Sequence, residues 1–170
     1  MNRVGTDATT PGSVILSLGS NKGDRERQIT AALEKIEERI GNIRSLSALY
    51  TTVPVGFDSP NNFINCVCEV YSVLDIYSIF AITREIEKEL GRIHKSVGSR
   101  YSDRLIDIDL IMAGNLVIES VELTIPHPLF HRRDFVLTPL CEIAPDLVHP
   151  LLGKSIHQLK ADLDAKETIQ

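Results

Sequence analysis

Strand and helix periodicities alternate along the first two thirds of the chain, in an order that few folds accept. SVILSL at 13–18 reads as a strand, and GSNKGD after it as a turn. Ile29, Ala32, Leu33, Ile36 and Ile40 recur at helical spacing. A helix is therefore expected over 25–40, with Asp24 to cap it and Gly41 to end it. Strands are expected over 43–52 and 63–73, divided by the turn-forming VPVGFDSPNN. A second helix over 76–90 places Ile79, Phe80, Ile82, Ile86 and Leu90 on one face, between Asp75 as cap and Gly91 as stop. A long polar loop then leads into LIDIDLIM at 105–112, a further strand. The order β-α-β-β-α-β predicts an α+β domain with a ferredoxin-like core: an antiparallel sheet with packed helices, in three αβα layers. A hairpin is expected in MAGNLVIES, with Gly114-Asn115 at its turn. Short helices are expected between Pro128 and Pro139 and over 156–163.

The 170 residues suit one domain with a substantial core, expected over 13–165 behind a disordered tail at 1–12. No apolar run has the length that spans a bilayer, and MNRVGTDATTPG lacks the apolar centre of a signal peptide. Cysteine usage agrees with a reducing compartment. The three cysteines are Cys66, Cys68 and Cys141, an odd number, and a lone C-x-C is no zinc framework. A cytoplasmic protein with no membrane partner is the expectation. The net charge of −5 argues against a general nucleic-acid binder.

The strand at 104–112 carries its own contradiction. Side chains alternate faces along a strand, so Ile106, Ile108 and Leu110 point to one side and Asp107 and Asp109 to the other. Two carboxylates that close repel, and one takes up a proton unless a cation lies between them. Magnesium, a hard cation that accepts one or two carboxylates and shares its other positions with phosphates and water, suits the pair. Two such ions are expected at Asp107 and Asp109. The plainer reading is a solvated strand face that discourages edge pairing.

The neighbouring segment favours the metal. GRIHKSVGSRYSDRL at 91–105 holds Arg92, Lys95, Arg100 and Arg104 together with His94, opposed only by Asp103. An acidic chain has set a basic run beside its carboxylate pair. Polyphosphate needs cations on all sides, from metals and from arginine forks, and these four cations are expected to bind it. Arg104 stands at the mouth of the same strand, three residues before Asp107.

With other segments, these residues resemble the 6-hydroxymethyl-7,8-dihydropterin pyrophosphokinases of folate biosynthesis. The matching pieces are LGSN at 18, YTTVPVG at 50, NNFINCV at 61, ELGRIHK at 89, RLIDIDLI at 104, LTIPHP at 123 and RRDFVLTPLCEIAPDLVHP at 132, in the family's order. The resemblance implies transfer of the β- and γ-phosphates of ATP, as one diphosphate, to the pterin's hydroxymethyl oxygen, with AMP leaving. It implies a monomer with ATP and 6-hydroxymethyl-7,8-dihydropterin as partners. Asp107 and Asp109 match the residues that hold two magnesium ions. Arg92 and Arg104 match arginines on the ATP phosphates, with Lys95 beside them. Thr124 and His127 match nucleotide-binding positions, and Arg133 a phosphate-contacting arginine. Phe63 and Phe135 match aromatic walls for the pterin, and Asn65 the amide that reads its edge. Thr52 and Val55 match positions whose backbone completes the pocket. Gly19-Ser20-Asn21 is a family marker without the Walker pattern, explained equally well by a tight turn feeding a helix.

The chain departs from the family in places. Ser102-Asp103 stands where a small residue and then proline or glutamate are usual, so a carboxylate sits next to Arg104 and is expected to weaken ATP binding or alter loop closure. His94 replaces a more strongly basic residue, and Phe63 a tyrosine found in other members. Two further readings stay open from the residues: another two-metal enzyme such as a nuclease or phosphohydrolase, and a non-catalytic ferredoxin-like binding module.

Overall fold

The computed structural model describes residues 10–91 and 103–169. Strand β1 (Gly12–Ser20) is longer than expected at both ends, so Gly19 and Ser20 belong to the strand and not to a turn. Helix α1 (Arg25–Arg39) follows, and the Asp24 carboxylate accepts the Arg27 N–H at 3.2 Å. Gly41 is needed at the end of this helix because the chain passes against a neighbouring strand there. A Cβ at Gly41 would lie 2.0 Å from the Tyr71 carbonyl oxygen.

The strand expected over 43–52 is two strands, β2 (Asn42–Leu46) and β3 (Tyr50–Thr52), both antiparallel to β4 (Phe63–Ser72). The break is at Ser47, whose hydroxyl accepts the Val67 N–H at 3.0 Å in place of a ladder carbonyl. Glu142 secures the displaced segment, accepting from the Ala48 N–H and the Tyr50 hydroxyl, each at 3.0 Å. Helix α2 (Ile76–Glu89) starts where expected, with the Asp75 carboxylate accepting from the N–H groups of Tyr77 and Ser78. Strand β5 (Asp107–Ala113) closes the sheet in the order β2-β4-β1-β5, with β3 also beside β4 and every neighbour antiparallel. This is the ferredoxin-like arrangement, with β5 at an edge.

The expected hairpin does not form as drawn. Gly114 and Asn115 do turn the chain, but β6 (Ile118–Glu119) pairs with β7 (Thr124–Ile125) instead of returning along β5. A short 3-10 turn precedes helix α3 (Asp134–Ile143), which runs through Pro139 instead of stopping before it. The proline removes one hydrogen bond of the helix, and its ring is buried in the core. Helix α4 (Ile156–Thr168) extends past its expected end and opens on a Ser155–Gln158 capping box.

Two cores result. Leu16, Leu18, Ile108 and Leu110 face α1 and α2, with Ile29, Ile36, Ile79 and Ile86 opposite them. Ile15, Val67, Ile111 and Met112 face α3 and α4, with Leu137, Leu140, Ile156 and Leu159 opposite. The molecule therefore has the three layers expected. Cys66 and Cys68 are fully buried free thiols on β4, and burial pushes the Cys66 thiol up to about 12. They serve as small apolar side chains.

Candidate active site

The α3/α4 layer covers one end of its sheet face and leaves the other open. Asp107 and Asp109 lie in the open part, at the start of β5. Asp107 pairs with Gly19 and Asp109 with Ser17 of β1. The Asp109 carboxyl is pushed up to about 7, first by burial and then by the charge of Asp107. Glu87 adds to the rise, while Arg84 and Arg133 oppose it. The repulsion expected of the pair is thus present in the fold. Arg104 answers Asp107, its Nη1 donating to Oδ2 at 2.8 Å.

An edge strand exposes N–H groups that need partners. Here α2 supplies one. The buried Glu87 accepts the Ile108 N–H at 2.8 Å, between the two aspartates, and also accepts from Arg84 Nη1 at 3.1 Å. The backbone that aims the carboxylates is thereby held from the helix side as well as from β1.

These residues border a cavity of about 300 Å³. One end holds Asp107, Asp109, Arg84, Arg104, Arg133 and His127. The other holds Thr52, Val55, Phe63, Asn65 and Phe135, joined by Val53 and Gly56. Asn65 is almost fully buried, and its Nδ2 donates to the Thr52 hydroxyl. Gly19 lies directly opposite Asn65 on β1, and a Cβ there would meet Asn65 Oδ1 at 2.8 Å. That contact explains the glycine of LGSN better than a turn does. Phe57 stands edge-on to Phe63 with ring centroids 6.2 Å apart, and the Arg133 guanidinium lies 5.7 Å from the Phe135 ring centroid. His127 accepts the Leu129 N–H on Nδ1, which leaves its ring proton on Nε2. Burial, helped by Arg133, lowers its pKa to about 4, so the ring is neutral.

Ten of the residues singled out in the sequence therefore border one cavity. Thr124 does not: it is exposed on β7, outside the lining. Arg92, His94, Lys95, Arg100 and Ser102 lie outside the described residues. Sequence reasoning missed Arg84 and Glu87. Their spacing on α2 reads as an ordinary surface ion pair, and only the placement of β5 beside the helix gives them a role. Asp103 does not behave as its position beside Arg104 suggested. Its carboxylate accepts from Asn21 Nδ2 at 2.7 Å and from Asn61 Nδ2 at 2.8 Å, which engages both of its oxygens.

Chemically, one end of the cavity offers hard oxygen donors ringed by arginines, and the other a flat apolar slot with one buried amide. Two carboxylates suit magnesium, which completes its shell with water and phosphate. Among the described residues no cluster of three or more His, Cys, Asp or Glu offers a more complete metal cage.

Comparison with known proteins shows the family and the fold. Residues 15–145 match the family model for 7,8-dihydro-6-hydroxymethylpterin-pyrophosphokinase. The 2-amino-4-hydroxy-6-hydroxymethyldihydropteridine pyrophosphokinase of Porphyromonas gingivalis is 48% identical over 138 residues, 81% of this chain and 93% of that protein. The enzyme of that name from Aquifex aeolicus is 35% identical over 150 residues, 88% of this chain and 91% of that protein. A crystal structure of Plasmodium falciparum HPPK-DHPS with pteroate superposes with a TM-score of 0.74 at 15% identity, covering 93% of this chain. This chain spans 45% of that longer one, and the likeness shows the fold. The chain belongs to the 7,8-dihydro-6-hydroxymethylpterin-pyrophosphokinase family.

Proposed function

We propose that the cavity is where this folate-biosynthesis pyrophosphokinase moves diphosphate from ATP to 6-hydroxymethyl-7,8-dihydropterin. The observation that carries the reading is the union, in one cavity of about 300 Å³, of a carboxylate pair with arginines and an aromatic slot with a buried amide. The pterin ring stacks between Phe63 and Phe135, and Asn65 reads its edge by donating and accepting. The triphosphate lies toward Arg104, Arg133 and Arg84, whose guanidinium groups offset its charge. Neutral His127 presents its Nε2–H to the nucleotide. Arg92, Lys95 and Arg100 join the phosphate site from the neighbouring segment, and Thr124 contributes only at its margin.

The pterin's hydroxymethyl oxygen forms a bond to the β-phosphorus. The bond from that phosphorus to the oxygen bridging the α-phosphate breaks, AMP leaves with the bridging oxygen, and the hydroxyl proton is released. The chain's part is placement and charge: the aromatic walls fix the acceptor, and the arginines stabilise phosphate oxygens during transfer. Asp107 and Asp109 would hold two magnesium ions, which when bound neutralise phosphate charge and orient its oxygens. The domain over 13–165 acts as a monomer in the cytoplasm. No helix among the described residues is long and apolar enough to cross a membrane.

The test is product identity. Nucleotides are separated after incubation with ATP, magnesium and the pterin. AMP is expected, and only when the pterin is present. ADP, or AMP formed without pterin, would replace this reading with an ordinary kinase or a phosphohydrolase.

A further inference from the structure

The two ends of the cavity are built from separate segments, and one carboxylate joins them outside the lining. Asp103 immediately precedes Arg104. Its Oδ1 accepts from Asn21 Nδ2 at 2.7 Å and its Oδ2 from Asn61 Nδ2 at 2.8 Å. Asn21 follows the last residue of β1 and is 2% exposed. The same Nδ2 also donates to the Asn61 carbonyl at 3.2 Å, and Oδ1 accepts the Arg104 N–H at 2.7 Å. The Asn21 N–H donates to the Arg104 carbonyl at 3.0 Å. Asn61 lies two residues before Phe63, in the loop that carries Val53, Val55 and Gly56. Hydrogen bonds from Ser59, Asn61 and Asn21, with Lys22 nearby, hold the Asp103 carboxyl below the usual range, so it is ionised at neutral pH.

We propose that Asp103 is a positioning residue for both substrates: it ties the strand end that aims Arg104 to the loop that leads into the aromatic slot. Asp103 touches neither substrate and acts through Arg104 and Phe63. This carboxylate fixes the distance between phosphate and pterin, which is what an in-line transfer needs. The inference rests on the assigned reaction.

The donor pattern supplies its own test. Asp103→Asn leaves one of two amide donors facing another donor. Asn61→Asp sets a carboxylate against a carboxylate. With both changes together, the amide at 103 accepts from Asn21 and donates to the carboxylate at 61, and the Ser59 hydroxyl can still turn to donate. Steady-state kinetics and melting temperatures are measured for the wild type, both single variants and the double variant.

Each single variant should lower kcat/KM for ATP and for the pterin by about tenfold while remaining folded. The double variant should return both to within about twofold of the wild type. Single variants with unchanged kinetics, a loss confined to one substrate, or a double variant no better than the worse single would each overturn the proposal. A wild type that makes no pterin-dependent AMP would sink the assigned reaction itself. Pterin-dependent AMP formation indifferent to the exchange would sink only the role of Asp103.

Discussion

On the α1/α2 side of the sheet, Leu16, Leu18, Ile108 and Leu110 meet the buried faces of two capped helices. On the opposite side, Ile15, Val67, Ile111 and Met112 are covered by α3 and α4, but Asp107, Asp109 and Asn65 face a cavity instead. Strand β5 takes part in both. Ile108 and Leu110, with Ile106 just before the strand, build a core, and Asp107 and Asp109 border the cavity. Such a fold carries cost where its second layer of helices stops: the cavity lies there, and the first layer holds the strand while two carboxylates crowd its other face.

That comparison is broken first by changing adjacent residues of β5. Asp107→Ala should lower AMP formation by about 10³-fold, equivalent to roughly 4 kcal/mol of transition-state stabilisation, and leave the melting temperature nearly unchanged. Ile108→Ala should do the reverse. It opens a cavity in a fully buried position and should cost about 2–5 kcal/mol by urea denaturation, with both KM values of the folded fraction retained.

A smaller effect separates the two ends of the cavity. Gly19→Ala forces Asn65 to give way and should raise the pterin KM by about tenfold, leaving the ATP KM within about twofold. Equal losses for both substrates would mean that the sheet had shifted as a whole.

The smallest effect is one of pH. The carboxyl of Asp109 is raised in the folded protein to about 7 from an ordinary 3.8. Its contribution to stability is therefore fully present below about pH 4 and is lost as pH rises through about 7. Asp109→Asn removes that loss. Without ligands, the variant should melt above the wild type at pH 8, and the gap should narrow toward pH 5. A gap that widened on acidification would show that burial does not raise this carboxyl.

Much of the fold was legible because its signals are local. Asp24 and Asp75 cap the helices they were expected to cap, and the period of Ile79 and Ile86 places α2 correctly. The misreadings arose where distant residues decide. Ser47 divides β2 from β3 by bonding to Val67, twenty residues on. Helix α3 tolerates Pro139 because its buried face supplies enough packing. The second strand of the expected hairpin found Thr124 and Ile125 as partners instead of β5. The site divides in the same way. Asp107 and Asp109 stood out because they interrupt an apolar strand, and the aromatic slot followed from the family resemblance. Arg84, Glu87 and the contacts of Asp103 gave no signal, since a charge on a helix or loop looks the same whether it faces solvent or the edge of a strand.

The acidic face of β5 is proposed to support the transfer by holding divalent cations. Its most direct test follows AMP formation against magnesium concentration, with ATP and the pterin both present, for the wild type and for folded Asp107→Ala. The wild type should form AMP only as magnesium is supplied, and the variant should form almost none at any concentration. A folded Asp107→Ala protein that forms AMP at the wild-type rate would contradict the account.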